Sequence, residues 1–178
     1  MTVSAAEMLD ALSLAEAWVE EALVDRSTPW NSLHVNDEFP HVRRLWTSMT
    51  DEYRVALHRI EPIPEGQRPL FHWHRWPAAF LLLDGAYDTG VGHGPPGGTP
   101  PNIELVSRCH AGERRTMVDP NEWHWIRPTR HAVTTIMVFG KQYPGVRGRK
   151  ATRELSALPL LERNRMLQDM QRLLGILT

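Results

Sequence analysis

Several things are scarce in this chain, and each scarcity narrows the reading. Only one cysteine, Cys109, occurs among its 178 residues. No intramolecular disulfide can form, and a disulfide-stapled secreted scaffold is excluded. No run of 18 apolar residues is present, so the sequence offers no transmembrane helix. Neither sign of charge dominates: 20 basic against 21 acidic side chains leave a formal net charge of -1. There is no global basic field to draw in nucleic acid or an anionic membrane. GxSxG, HExxH, P-loop and CxxC motifs are all missing, which removes several reaction classes. The N-terminal stretch carries acids where a signal peptide carries bases, and the expectation is a soluble, cytoplasmic protein.

What is present suits one domain with its own core, since 42% of the residues are apolar at this length. Ser4 and Glu7 form a capping-box pattern, and Ala11, Leu12, Leu14, Ala15, Trp18, Leu23 and Val24 follow at helical spacing. This predicts a helix over residues 4–25. Residues 28–40 read as irregular, and 41–49 as either a short helix or an extended arm. From Tyr53 to Phe139 the texture becomes short β-type runs between turn residues. Strands are predicted at 54–60, 70–76, 79–83, 86–92, 103–107, 115–118, 124–127 and 132–139. Eight such strands with no helical pattern between them argue for an antiparallel sandwich or jelly-roll barrel. Helical periodicity returns over 151–177. The expected organisation is a helical extension (1–52), a barrel (53–140) and a C-terminal connection with a helix (141–178). The Gly/Pro loop at 92–101 is either a lid at the barrel mouth or a plain exposed hairpin loop.

The chemistry concentrates on histidine. His72-Trp73-His74 falls in a predicted strand, and alternate residues of a strand share a face, so both imidazoles project to one side. Two cis ligands on one ion would be placed this way. Two core or rim histidines satisfied by hydrogen bonds would look the same in a chain with nine histidines. Fifty residues after His74 comes His124, and Trp73, Trp76, Trp123 and Trp125 flank the set.

This arrangement resembles the two-part signature of the cupin superfamily, G-x5-HxH-x3/4-E-x6-G followed by G-x5-PxG-x2-H-x3-N. Gly66, His72, His74 and Gly85 fit the first part; Gly112, Pro120 and His124 fit the second loosely, with Glu122 in place of a glycine. The resemblance covers residues 53–140. It implies a mostly β, single cupin (jelly-roll) barrel with one divalent metal at His72, His74 and His124. Where many cupins carry a carboxylate ligand, this chain has Ala78. A three-His set without the acid resembles the cysteine dioxygenase branch, which uses iron(II). In that branch an arginine upstream of the HxH pair holds the substrate carboxylate. Arg44, 28 residues before His72, is the better match here, with Arg43 as the alternative. A guanidinium grips a carboxylate bidentately. The branch's Ser-His-Tyr relay is not matched, since the last strand offers Thr134, Met137 and Phe139, and its crosslinking cysteine falls at Ala79.

The resemblance thus implies an iron(II) dioxygenase or other oxidoreductase acting on a small carboxylate-bearing substrate with O2. Three neutral imidazoles also suit Zn, Ni or Mn. A non-oxidative isomerase, dehydratase or lyase, or a non-catalytic small-molecule binder, stays open beside it. Cupins often pair, so a homodimer is implied as one assembly. Around the site, Arg54 and His58 share a strand parity and are either substrate contacts or a polar edge. Trp76 and Phe80 are expected to line an apolar pocket. Trp73 and Trp125 are expected on the outer face against the terminal helices. His131 is either a base near the metal or a loop histidine without a role. Cys109 with His110 lacks a second base for a nucleophilic site. His34, Asp37, Glu38 and His41 read as a polar loop, and Arg147-Gly148-Arg149-Lys150 as a solvated connection.

Overall fold

A computed structural model describes residues 3–148 and 150–177; Arg149 of the basic connection lies outside the described residues. The chain opens on α1 (Ala5–Val24). Its N-terminus is closed as the capping box requires: Glu7 N donates to Ser4 Oγ at 3.2 Å, and Ser4 N donates to the Glu7 carboxylate at 2.6 Å. Ten strands follow: β1 (Asn31–Val35), β2 (Val42–Ser48), β3 (Arg54–Ile60), β4 (His72–Trp73), β5 (Ala78–Asp84), β6 (Ala86–His93), β7 (Leu105–His110), β8 (Arg114–Met117), β9 (Glu122–Pro128) and β10 (Val133–Phe139). The last element is α2 (Leu160–Leu173). No helix among the described residues is long and apolar enough to cross a membrane.

The strands form two antiparallel sheets, one ordered β1-β2-β3-β10-β5-β8 and the other β4-β9-β6-β7. They make the mostly β, double-sheet jelly roll expected from the sequence, with a helix at each end of the chain. The sheet begins earlier than residue 53: β1 and β2, expected as an irregular stretch and an undecided arm, pair in full register from Asn31↔Trp46 to Val35↔Val42. The second helix begins later than residue 151. Pro159 stands at its N-cap, and the residues before a proline favour extended backbone, so 151–159 run as a strap instead. His34 N donates to Ser156 O at 2.8 Å and fastens that strap to β1.

Parity within the larger sheet decides what reaches the interior. One face carries Leu45, Val55, Leu57, Ala79, Leu81, Ile136 and Val138, and it packs with Met8, Leu12, Ala15 and Val19 of α1 and Met166 and Met170 of α2. The opposite face carries Ala56, Ile60, Phe80, Leu82, Met137 and Phe139, and meets Tyr87 and Cys109 of the smaller sheet. A sheet covered on both faces reads as continuous apolar strands, which is the pattern of β5 and β10. The polar residues Arg44, His58 and Thr135 share the inward parity.

Gly85, the glycine that ends the first motif, turns the chain from β5 into β6 with φ of 87°. A Cβ there would also lie 2.8 Å from Val133 Cγ1. Gly85→Ala is expected to destabilise the fold by about 1–3 kcal/mol. Urea unfolding checks this, through a lower midpoint at unchanged slope.

Candidate metal centre

β4 and β9 pair so that His72 faces His124 directly, and the chain leaves β4 at His74. The strand expected over 70–76 is only His72–Trp73, because Pro69 and Pro77 bracket the segment and cannot donate to a ladder. His74 reaches the same point from beyond the strand end. The ring centroids lie 5.1 Å apart for His72–His74, 4.8 Å for His72–His124 and 5.0 Å for His74–His124. One ring nitrogen from each of the three can be chosen so that all lie within 4.8 Å of one another.

The donor set fits a divalent ion. His74 Nε2 and His124 Nε2 are 3.0 Å apart, the separation of two ligands about 2.1 Å from one ion at an angle near 90°. His72 Nδ1 lies 3.2 Å from Leu70 O, and donating there makes Nε2 the unprotonated ring nitrogen. A backbone carbonyl taking the second ring proton is the usual support of a ligating histidine. His124 is buried, and His72 and His74 are half-buried. Burial holds His74 and His124 well below the ordinary imidazole range, with the neighbouring imidazoles adding to the shift. Both rings are therefore neutral, as metal ligation requires. The carboxylate slot at Ala78 is fully buried in β5 and contributes no ligand.

The three histidines open into a cavity of about 460 Å³ between the sheets. Arg44 lines it, whereas Arg43 points to the other face of β2 and pairs with Glu61 and Glu162. Strand parity thus decides between the two arginines. Arg44 Nε donates to His58 Nε2 at 2.8 Å, which fixes the proton of His58 on Nδ1, 3.3 Å from Thr135 Oγ1. Arg44 is oriented by this chain and makes no ion pair among the described residues. Burial, and after it the charge of Arg54, pushes its guanidinium down to about 10, and it stays charged at neutral pH. His58 is held well below the usual range by burial and by Arg44, and is neutral.

These buried imidazoles make stability depend on pH. His58 and His124 stay neutral in the folded chain, while their unfolded counterparts take up protons near pH 6.5. Above that pH they contribute no slope. Below it the unfolded state binds more protons, so metal-free protein should lose stability by up to about 3 kcal/mol per pH unit. Chemical unfolding of chelator-treated protein between pH 5 and 8 checks the sign.

The remaining expected residues divide. Phe80 is buried and lines the cavity, as does Trp76. Two guanidinium groups lie over the Trp76 ring, Arg75 at 4.5 Å and Arg54 at 5.2 Å, with Phe139 edge-on at 5.4 Å. Arg54 shares the inward parity of His58 but covers the Trp76 ring instead of lining the cavity. His131 is exposed in the turn before β10 and does not line the cavity, so it is not brought to the site. Trp73 does not face the helices: it packs on Trp123 at 4.7 Å and donates to Arg147 O at 2.9 Å, on the sheet that α1 leaves uncovered. Nor is the loop at 92–101 a lid. None of its residues lines the cavity, and it is tied to the start of β9 by Gly94 N to Asn121 O at 2.9 Å. Gly148 of the preceding connection and Ala151 and Leu155 of the strap line the cavity instead. Cys109 is buried against Tyr87 and accepts from Arg115 Nη1 at 3.1 Å, and burial pushes its thiol up. Sequence reasoning missed Thr135 and Tyr87. The parity of β10 against His58 was the available signal for the first, and the chain carries none for the second.

No family model matches this chain, and no curated protein matches it. Among solved structures it is similar to an RmlC-like cupin from Shewanella frigidimarina, at 12% identity over 66% of this chain and 87% of that one, with a TM-score of 0.45. It is similar to hydroxypropylphosphonic acid epoxidase from S. wedmorenis, at 12% identity over 62% of this chain and 55% of that one, with a TM-score of 0.48. It is similar also to KdgF from Halomonas sp., at 10% identity over 67% and 94%, with a TM-score of 0.45. Likenesses this distant say nothing about the chemistry, which rests on the side chains described above.

Proposed function

We propose that this chain is a metal-dependent enzyme in which His72, His74 and His124 hold iron(II), and that it oxidises a carboxylate-bearing small molecule with dioxygen. The observation that carries the reading is the convergence of three imidazoles, without an acidic ligand, on a cavity that also contains the Arg44 cation, which has no ion-pair partner among the described residues. Bound there, iron(II) supplies redox chemistry toward dioxygen and open positions for exogenous ligands. The protein's own residues do the rest. Arg44, aimed by His58 and Thr135, takes the substrate carboxylate and fixes its orientation toward the histidines. Phe80, Met137, Ile126 and the Trp76 ring keep bulk water away from the reacting end. His131, exposed in its turn, has no part in this chemistry.

A zinc, nickel or manganese enzyme without oxygen is the second reading. Two observations favour it: three imidazoles also make the ligand set of hydrolytic zinc sites, and Met137 and Phe139 occupy the last strand where the three-His oxygenases keep their relay. Elemental analysis of protein purified without a metal-affinity column separates the two. The proposal expects iron at about one per chain and oxygen uptake when carboxylic acids are added to iron-loaded protein. Zinc or manganese at that stoichiometry, with turnover unaffected by removing oxygen, would replace it with the second reading.

A further inference from the structure

The charges facing the cavity say what kind of carboxylate it admits. Among the described residues that line it, the only acids are Asp37 and Glu38, both on the loop between β1 and β2. Asp37 accepts from Thr152 N of the strap at 3.1 Å through Oδ2, so both acids belong to the turn and the strap at the rim of the hairpin. Against these stand Arg44 and Arg75, and the three histidines are a further cationic centre once loaded. Among the described residues the terminal nitrogens of Arg44 have no side-chain hydrogen-bond partner, its Nε being spent on His58. The rest of the wall is apolar, with Ile60, Phe80, Met117, Ile126 and Met137 at its centre. At about 460 Å³ the space equals on the order of fifteen water volumes of about 30 Å³ each, more than a small amino acid fills.

From this distribution we infer that the substrate is an amphipathic monocarboxylate: one carboxylate on Arg44, an apolar aliphatic or aromatic body against the Phe80–Met137 wall, and no ammonium group. The inference rests on the site being the catalytic one proposed above, and it names the substrate class. A zwitterionic amino acid with its carboxylate on Arg44 would bring its ammonium beside that guanidinium and the metal, whereas Asp37 and Glu38 stand in the turn beyond the Val35↔Val42 pair and Arg44 lies opposite Leu33, two pairs further along the hairpin. Like-charge juxtaposition in a desolvated site is costly, and so is a buried cation without a partner. An α-amino nitrogen escapes only by giving up its proton to ligate the metal, so metal-free and metal-loaded protein must both be examined.

Hydrocinnamate and phenylalanine differ by that ammonium alone, and hydrocinnamyl alcohol lacks the carboxylate. Their binding is followed by calorimetry and tryptophan fluorescence at neutral pH, with metal content measured on the same samples. Hydrocinnamate is expected to bind both forms, and phenylalanine and the alcohol at least about 100-fold more weakly. Arg44→Met should lose hydrocinnamate by a similar factor while keeping the metal content and melting temperature of the parent. Phenylalanine binding as tightly as hydrocinnamate in either form, or hydrocinnamate binding unchanged in Arg44→Met, would overturn the inference. The underlying reading fails separately: a chain that binds hydrocinnamate through Arg44 but retains no metal keeps the ligand class and loses the enzyme.

Discussion

His124→Ala should yield a folded protein that no longer retains metal. Wild-type protein is expected to hold about one ion per chain after dialysis, and the variant less than a tenth of that. The argument starts from β9, where His124 faces His72 across a two-residue ladder and stands 3.0 Å from His74. Losing a residue that merely supports a ligand weakens metal affinity by about 10- to 100-fold, and losing one of only three ligands should exceed that. The fold should survive, because without metal the imidazole is a buried polar group held neutral by its surroundings, and its removal breaks no salt bridge. Melting the metal-free forms side by side separates lost ligation from lost structure. His74→Ala repeats the test from a residue that lies outside the strands and is only half-buried. Full metal retention in both variants would mean that the imidazoles are packed together for another reason.

Replacing Arg44 has two consequences that point in opposite directions. Arg44→Met should lower kcat/KM, or affinity for an acidic ligand, by about 100-fold or more, within the roughly 2–5 kcal/mol cost of removing a buried charge partner. The same change should leave stability equal or raised. Arg44 is a desolvated cation whose one hydrogen bond runs to a neutral imidazole and which has no carboxylate within ion-pair distance among the described residues. Substituting an apolar side chain of similar length for a charge of this kind is neutral or stabilising. A residue kept for structure would lower the melting temperature when removed. One kept for binding gives activity loss with stability preserved, and thermal melts beside ligand titrations distinguish them. Arg43→Met is the control, since Arg43 pairs with Glu61 and Glu162 on the opposite face of β2 and should not change ligand affinity.

Much of the site was legible in the sequence because it is encoded by local spacing. The HxH pair with a distant third histidine was read from its spacing and the motif glycines, although His74 lies past the end of β4 and arrives there without the strand parity expected of it; Gly66, Gly85 and Gly112 do hold the positive φ that makes glycine the natural choice there. Arg44 was legible only as one of two neighbours. The choice between Arg43 and Arg44 required knowing which face of β2 turns inward, and β2 itself was undecided between helix and arm. Its sequence, Val-Arg-Arg-Leu-Trp-Thr-Ser, gains its strand identity from pairing with β1 and β3, a non-local contribution that propensity does not carry.

Other readings failed for the same physical reason. His131 was attractive because it lies near His124 in sequence, but β9 and β10 belong to different sheets, and the turn joining them faces solvent. Arg54 shared the parity of His58 but sits at the end of β3, where the Trp76 ring takes its guanidinium before the cavity does. The lid was sought in the Gly/Pro loop because of its composition. The covering segment turned out to be the strap ahead of α2, whose helical-looking residues stay extended because Pro159 ends them and Ser156 bonds to β1.

The claim beneath all of this is that three imidazoles and no protein carboxylate share one ion. X-ray absorption spectroscopy of the metal-loaded protein addresses it directly. The account predicts about three imidazole nitrogens at about 2.0–2.2 Å, with multiple-scattering features of the rings, the remaining positions filled by light atoms that exchange with added ligand. A first shell with one imidazole or none, or one dominated by carboxylate oxygen or by the Cys109 sulfur, would contradict it.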